Sequence, residues 1–294
     1  MKIFCVGEAM IELNPDRAGA QIGFAGDTLN TAIYLKRAFP AAEVEFVTVL
    51  GRDAMSARME AFIASEGVGC AQITHHPERL PGIYAIATDA TGERSFSYWR
   101  SLSAARTLFE GGFGQLQGAD VIYLSAITLA ILPPDLRGRL LAHLGQHPAK
   151  VVFDSNYRPR LWEDRATAKA CVSAAWAVCD IALPSVDDEM ALFGDADAGA
   201  VLARLRGLGL RRGALKCGAQ GALPLDPSVS PPPYPPVACV VDTTAAGDSF
   251  NGAWLGAVLQ GADARDALAA AHAQACAVIG QPGAIIPRAT APRG

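Results

Sequence analysis

The chemistry most legible in this 294-residue sequence lies in the string Asp242-Thr243-Thr244-Ala245-Ala246-Gly247-Asp248-Ser249-Phe250-Asn251-Gly252. Small residues at 245–247 let backbone N–H groups come close to a ligand, and a helix is expected over 249–260, where Phe250, Trp254, Ala257 and Val258 recur at helical spacing. The unpaired N–H groups and positive dipole end of such a helix form an anion hole. Asp248, in the first turn, stands where a carboxylate can take a proton from a hydroxyl held beside the anion. The competing reading makes Asp248 a helix cap, worth about 1 kcal/mol. An apolar strand over 237–241 is expected to lead into the turn.

The eleven-residue string resembles the DTxGAGD signature of the ribokinase-like (PfkB) carbohydrate kinases, and in its form DTTAAGDSF the branch acting on 2-keto-3-deoxygluconate. A second segment, Phe24-Ala25-Gly26-Asp27-Thr28-Leu29-Asn30-Thr31-Ala32, resembles the GGDTLNTA sugar-binding turn of that family. Alone it reads as a helix start with Asp27 as cap. Together, in this order and at this separation, the two motifs make the resemblance cover the whole chain. Ala25 and Ala245 replace glycines of the family pattern, and each added methyl narrows backbone approach.

The resemblance implies that Asp248 is the base and that the N–H groups of Ala245, Ala246 and Gly247 stabilise the transferring phosphoryl group. Gly26, Asp27 and Asn30 are then sugar-binding, with Tyr84 and Tyr98 on two arms of a hairpin. Arg100 and Arg158 are expected at the acid end of the substrate, since a planar guanidinium matches a carboxylate and a neighbouring keto oxygen; Arg160 reads as peripheral. For ATP the resemblance implies Ser185, the turn Lys216-Cys217-Gly218-Ala219-Gln220-Gly221, Ala245, Gly247 and His272 beside the adenine. Magnesium is expected near Asp188, through water, with Glu189 as the rival position. A lone helical His and ordinary turn glycines are the plain readings of His272, Gly218 and Gly221.

Positioning such groups requires an α/β framework. Apolar runs at 2–7, 43–50, 120–125, 150–154, 179–183 and 212–216 alternate with helical patterns at 27–39, 53–66, 134–147, 166–178, 198–208, 249–260 and 264–279, the pattern of a mainly parallel sheet. The expected fold is a ribokinase-like three-layer α/β/α domain spanning 1–294. Segments 12–24 and 79–99 break the rhythm and read as a small β lid, with a turn at 89–92. Lid closure would exclude water, and by resemblance the lid pairs two copies into a homodimer. The prolines of 224–237 forbid a helix and favour a surface loop between strands over a proline ligand for a partner domain.

Composition agrees with an enzyme. Hydrophobic residues make up 51% and charged ones 18%, which excludes wholesale disorder. A net charge of −4 argues against nucleic acid or an anionic membrane as the main partner. Glu8 and Glu12 interrupt any apolar leader, and the apolar run 121–132 is short of the roughly 20 residues that span a bilayer. Seven scattered cysteines without a CxxC pair suggest a reducing cytoplasm and no structural metal. Three rivals remain: a neutral-sugar kinase such as a fructokinase, a non-catalytic sugar-acid sensor, and a dinucleotide dehydrogenase, disfavoured because Gly7-Glu8-Ala9-Met10 lacks GxGxxG.

Overall fold

The computed structural model describes residues 1–16, 19–88, 94–237 and 239–288. In chain order the strands are β1 (Lys2–Val6), β2 (Met10–Asp16), β3 (Gly19–Ala25), β4 (Glu43–Leu50), β5 (Ile73–His75), β6 (Gly82–Thr88), β7 (Arg94–Trp99), β8 (Val121–Ser125), β9 (Lys150–Asp154), β10 (Ile181–Ala182), β11 (Ala214–Lys216) and β12 (Ala222–Pro224). The α-helices are α1 (Asp27–Ala38), α2 (Ala54–Ser65), α3 (Ala126–Ile131), α4 (Pro134–Leu144), α5 (Arg165–Ala177), α6 (Val186–Phe193), α7 (Ala198–Gly207), α8 (Ala246–Leu259) and α9 (Ala264–Ile279).

Ile3 and Cys5 on one side of β1, and Phe4 and Val6 on the other, are all buried, as a strand covered on both faces requires. Six parallel strands lie in the order β10-β9-β8-β1-β4-β5. One face packs Phe4, Leu124, Val151 and Phe153 against Leu136, Leu140, Val172 and Trp176. The other packs Ile3, Cys5, Phe46 and Val152 against Leu29, Ile33, Met59, Trp254 and Leu268. These are the three expected layers. Asp53, Asp164, Asp197 and Asp263 cap α2, α5, α7 and α9 through side-chain oxygens.

The lid is a second sheet, ordered β3-β2-β6-β7, and starts slightly earlier than expected, at Met10. Its pairing β2–β6 is parallel and the other two are antiparallel. The turn expected at 89–92 lies outside the described residues. Helices α1 and α8 run together because Gly252 has no side chain: a Cβ there would fall 2.7 Å from the Leu35 nitrogen and 2.8 Å from the Thr31 carbonyl oxygen.

Three expectations need correction. No strand forms among the described residues of 237–241; Val240 and Val241 are exposed, and the Val241 and Asp242 amides bond instead to the Ile279 carbonyl closing α9. The proline-rich loop therefore joins β12 to a helix rather than to a strand. Helix α8 begins at Ala246, earlier than expected, so 246–248 form its first turn. Two helices had no expected counterpart: α3, which follows β8 inside the apolar run 121–132, and α6, which takes up the acidic run 187–189. No described helix is long and apolar enough to cross a membrane.

Candidate active site

Asp248 accepts a hydrogen bond of 2.8 Å from Asn30 Nδ2, joining two motifs 218 residues apart. It is not a cap: the N-cap of α8 is Ala245, and no side-chain capping bond is made. Ala245 holds φ 60° and ψ 15°, left-handed backbone that suits glycine, and this turns the following amides into the helix axis. Below Asp248 lies a continuous polar network. Thr31 donates to the Asp248 carbonyl oxygen at 3.2 Å, and the Tyr123 hydroxyl lies 3.2 Å from Thr31 Oγ1. Asn251 Nδ2 reaches the Tyr123 hydroxyl at 3.0 Å and Asp154 Oδ2 at 2.5 Å. Lys216 Nζ closes the chain, donating to Asp154 Oδ2 at 2.9 Å and Asn251 Oδ1 at 3.1 Å.

Asp27 sits beside this network, its carboxylate accepting from Ser125 and, at 3.0 Å, from Asn156. Burial pushes the Asp248 carboxyl above the ordinary carboxylate range, and the neighbouring charge of Asp27 pushes it further; the Asn30 bond and Lys216 oppose this. Burial likewise raises Asp27, with Ser125 the largest opposing influence. A carboxylate raised in this way is a better proton acceptor than a free one. Lys216 lies next to the small-residue turn, since a Cβ on Gly247 would be 3.8 Å from Nζ. A cation, a helix N-terminus and a raised carboxylate thus converge at the carboxyl ends of the sheet strands, where α/β proteins bind ligands. A cleft of about 660 Å³ around Asp120, His143 and His147 opens at the opposite strand ends and takes no part.

The family model for pfkB family carbohydrate kinases matches residues 1–291, and both of its motif segments meet at the Asp248–Asn30 contact. This chain is a member of that family. It is 43% identical to a 2-dehydro-3-deoxygluconokinase of Dickeya dadantii (strain 3937), with 97% of this chain and 96% of that protein covered. A protein of the same name from Escherichia coli (strain K12) is 41% identical, with 99% of each covered. The crystal structure of a 2-dehydro-3-deoxygluconokinase from Thermotoga maritima superposes with a TM-score of 0.85 at 21% identity, covering 97% of this chain and 94% of that one.

The remaining candidates of this kinase fall into three groups. On the lid, Tyr84 is buried, bonds Glu12 through its hydroxyl, and feels the Asp248 charge; Tyr98 pairs with it across β6–β7, rings 5.9 Å apart, yet is 53% exposed. Arg100 is buried and bonds Glu8, while Arg158 is 55% exposed and lies 3.5 Å from Asp188. Gly26 is extended rather than left-handed.

In the turn 216–221, expected beside the nucleotide, Gly218 at φ 56° faces open space, whereas Gly221 at φ 88° is packed on Tyr234. The His272 ring packs tilted against the same Tyr234, centroids 4.6 Å apart, and so braces the proline-rich loop against α9. The Ser185 amide bonds Ser155 Oγ at 2.9 Å. Glu189 is withdrawn as a metal rival: it is fully buried and bonded at 2.6 Å by Arg204, which also binds Asp195.

Sequence reasoning passed over Asp154, Asn156, Asn251, Ser125, Thr31 and Tyr123. Asp154 and Ser125 end expected strands, and a polar residue at the carboxyl end of a buried strand is the signal that pointed to them. Tyr123, inside an apolar strand, offered none.

Proposed function

We infer that this chain is an ATP-dependent 2-dehydro-3-deoxygluconokinase, transferring the γ-phosphoryl group of ATP to the 6-hydroxyl of 2-keto-3-deoxygluconate to give 2-keto-3-deoxy-6-phosphogluconate. The observation carrying this reading is the raised Asp248 carboxylate at the head of α8, held by Asn30, in a chain 43% identical to a kinase of that name. Phosphoryl transfer needs positioning and charge stabilisation more than covalent chemistry. Asp248 accepts the proton of the attacking hydroxyl, and Asn30 fixes the carboxylate's direction. The amides of Ala245, Ala246 and Gly247, with Lys216, lie against the charge that grows on the phosphoryl oxygens. Gly26, Asp27, Asn30, Tyr84, Tyr98, Arg100 and Arg158 bind the sugar acid; Ser185, Gly218, Gly221 and His272 border the nucleotide. Residues 1–294 act as one kinase domain whose lid closes to keep water from the phosphoryl group.

Magnesium enters this reading with ATP. Among the described residues no group of three or more His, Cys, Asp or Glu could hold a metal. Asp188 fits a looser role: burial raises its carboxyl to about 6 against the pull of Arg158, so a nearby cation would favour its charged form. It would meet the ion through water, and the ion would neutralise phosphate charge.

The lid leaves Phe96 and Tyr98 exposed on the face of Tyr84, and Ile22 and Trp99 exposed on the opposite face, apolar area that supports pairing of two copies. A cytoplasmic location is supported by seven free cysteines. The test is ADP release measured across keto acids and neutral hexoses. Preference for 2-keto-3-deoxygluconate is expected; preference for fructose would replace this reading by a fructokinase, and ligand binding without turnover by a sensor.

A further inference from the structure

Glu8 follows β1 and is 1% exposed, and a carboxylate so buried needs a partner. That partner is Arg100, 92 residues on, where the chain leaves the last strand of the lid; its Nη2 donates to Glu8 Oε2. The surrounding backbone is fitted to the pair. A Cβ on Gly26 would fall 2.2 Å from the Glu8 carbonyl oxygen, and one on Gly82 would fall 2.7 Å from Glu8 Oε1 and 3.0 Å from Arg100 Cβ. Glu8 is therefore wedged where three parts of the pocket meet: the end of β1, the turn bearing Asp27 and Asn30, and the root of the lid. Arg100 is near enough to Asp27 for its charge to oppose the rise of that carboxyl.

We propose that Glu8 is a positioning residue for Arg100, holding one edge of the guanidinium so that another edge faces the carboxylate of the sugar acid. It deepens the reading of Arg100 as a carboxylate-binding group and rests on it. A guanidinium is planar and its N–H groups have fixed directions, so anchoring Nη2 sets where the others point. Glu8 Oε1 and Arg100 Nε, both buried without a partner, leave the contact single-stranded and the group able to turn slightly toward an incoming carboxylate. Without Glu8 the buried guanidinium loses its counter-charge and its anchor together. A merely structural ion pair would change stability and leave substrate KM alone.

The test is a double-mutant cycle on the full chain with Glu8→Gln, Arg100→Ala and the pair, measuring kcat and KM for 2-keto-3-deoxygluconate, KM for ATP, and melting temperature. Glu8→Gln is expected to raise the keto-acid KM roughly ten-fold, the scale of one charge-assisted contact, with ATP KM within about two-fold. In the Arg100→Ala background it should add less than about two-fold, because Glu8 then has nothing to position. Glu8→Asp, which keeps the charge one methylene shorter, should recover part of the loss, and it takes the place of Glu8→Gln should that variant not fold. If Arg100→Ala raises the keto-acid KM but the Glu8 variants do not, or if the two losses multiply, the positioning role is overturned alone. If Arg100→Ala leaves that KM unchanged, the carboxylate-binding reading of Arg100 falls, and the role of Glu8 with it.

Discussion

Replacing Asp248 by Asn isolates the proton-accepting step, because the change preserves size and the acceptor that Asn30 Nδ2 uses at 2.8 Å. Helix α8 is unaffected as a helix, since its cap is Ala245 and Asp248 makes no capping bond. Stability should not fall. A carboxyl whose folded pKa is raised stabilises the fold only while protonated, so its contribution is complete below the unfolded value of about 3.9 and is lost as pH rises through the raised value. At pH 8 the wild-type charge is buried beside Asp27 and Asp154 with only partial relief from Lys216, and the amide removes that burden. Melting temperature at pH 8 should therefore equal or exceed that of the wild type. Turnover should drop about 10²- to 10⁴-fold, or about 3–5 kcal/mol in the barrier, the usual contribution of a positioned base. The assay is ADP release at saturating ATP and keto acid, with binding of a non-hydrolysable ATP analogue measured separately. Turnover within about three-fold of wild type, in a folded variant that binds nucleotide, would refute the base assignment.

Four further outcomes are expected. Asp27→Asn removes the like charge that adds to burial in raising Asp248, so the acidic limb of kcat, scaled to its own plateau, should move to lower pH; a limb that stays or moves up counts against the coupling. Arg158→Ala should weaken keto-acid kcat/KM by roughly ten-fold or more and Arg158→Lys by less, because an ammonium keeps charge but loses the fork; equal losses for acid and neutral sugar would assign Arg158 elsewhere. Gly252→Ala drives a methyl into the backbone of α1, 2.7 Å from the Leu35 nitrogen, and should cost about 1–3 kcal/mol and most activity by parting Asn30 from Asp248; an unchanged melting curve would contradict the packing. Tyr84→Ala and Tyr98→Ala should raise sugar-acid KM with little effect on ATP, and unaltered sugar titrations in both would place the lid face outside the site.

The expected elements that held were those whose signals are local. Parallel strands covered on both faces appear as short, mostly apolar runs bounded by polar residues, which is why 43–50 and 150–154 coincide with β4 and β9 to the residue. The periodic segments at 53–66, 166–178, 198–208 and 264–279 became α2, α5, α7 and α9, each closed at its start by an aspartate whose side chain bonds the amides just after it. Val240 and Val241 show the limit: an apolar run specifies a strand only if a partner edge is available, and here the Ile279 carbonyl at the end of α9 takes the Val241 and Asp242 amides instead. In the run 187–189 composition leaves the residues undivided and only burial sorts them: Glu189 is fully buried against Arg204, while Asp188 lies 3.5 Å from the exposed Arg158.

The sequence by itself determined the two contiguous devices and, through their resemblance to a family, the kinase reading. Small residues before a helix and an Asp in its first turn form a contiguous device, and the turn at 26–30 is another, so both survive in one dimension. Tertiary structure alone decided what those groups experience. That Asp248 meets Asn30 depends on a glycine allowing two helices to touch, and its altered basicity depends first on burial and then on Asp27 and Asp154 arriving from other elements. Glu8 and Glu12, which in the sequence merely interrupt an apolar stretch, gain their partners from distant elements: Glu12 meets Tyr84 where β2 pairs with β6 inside the lid, and Glu8 meets Arg100 where the chain leaves β7. Such pairings are separated by 72 and 92 residues, and their energies come from burial and charge, which no run of neighbouring residue types encodes.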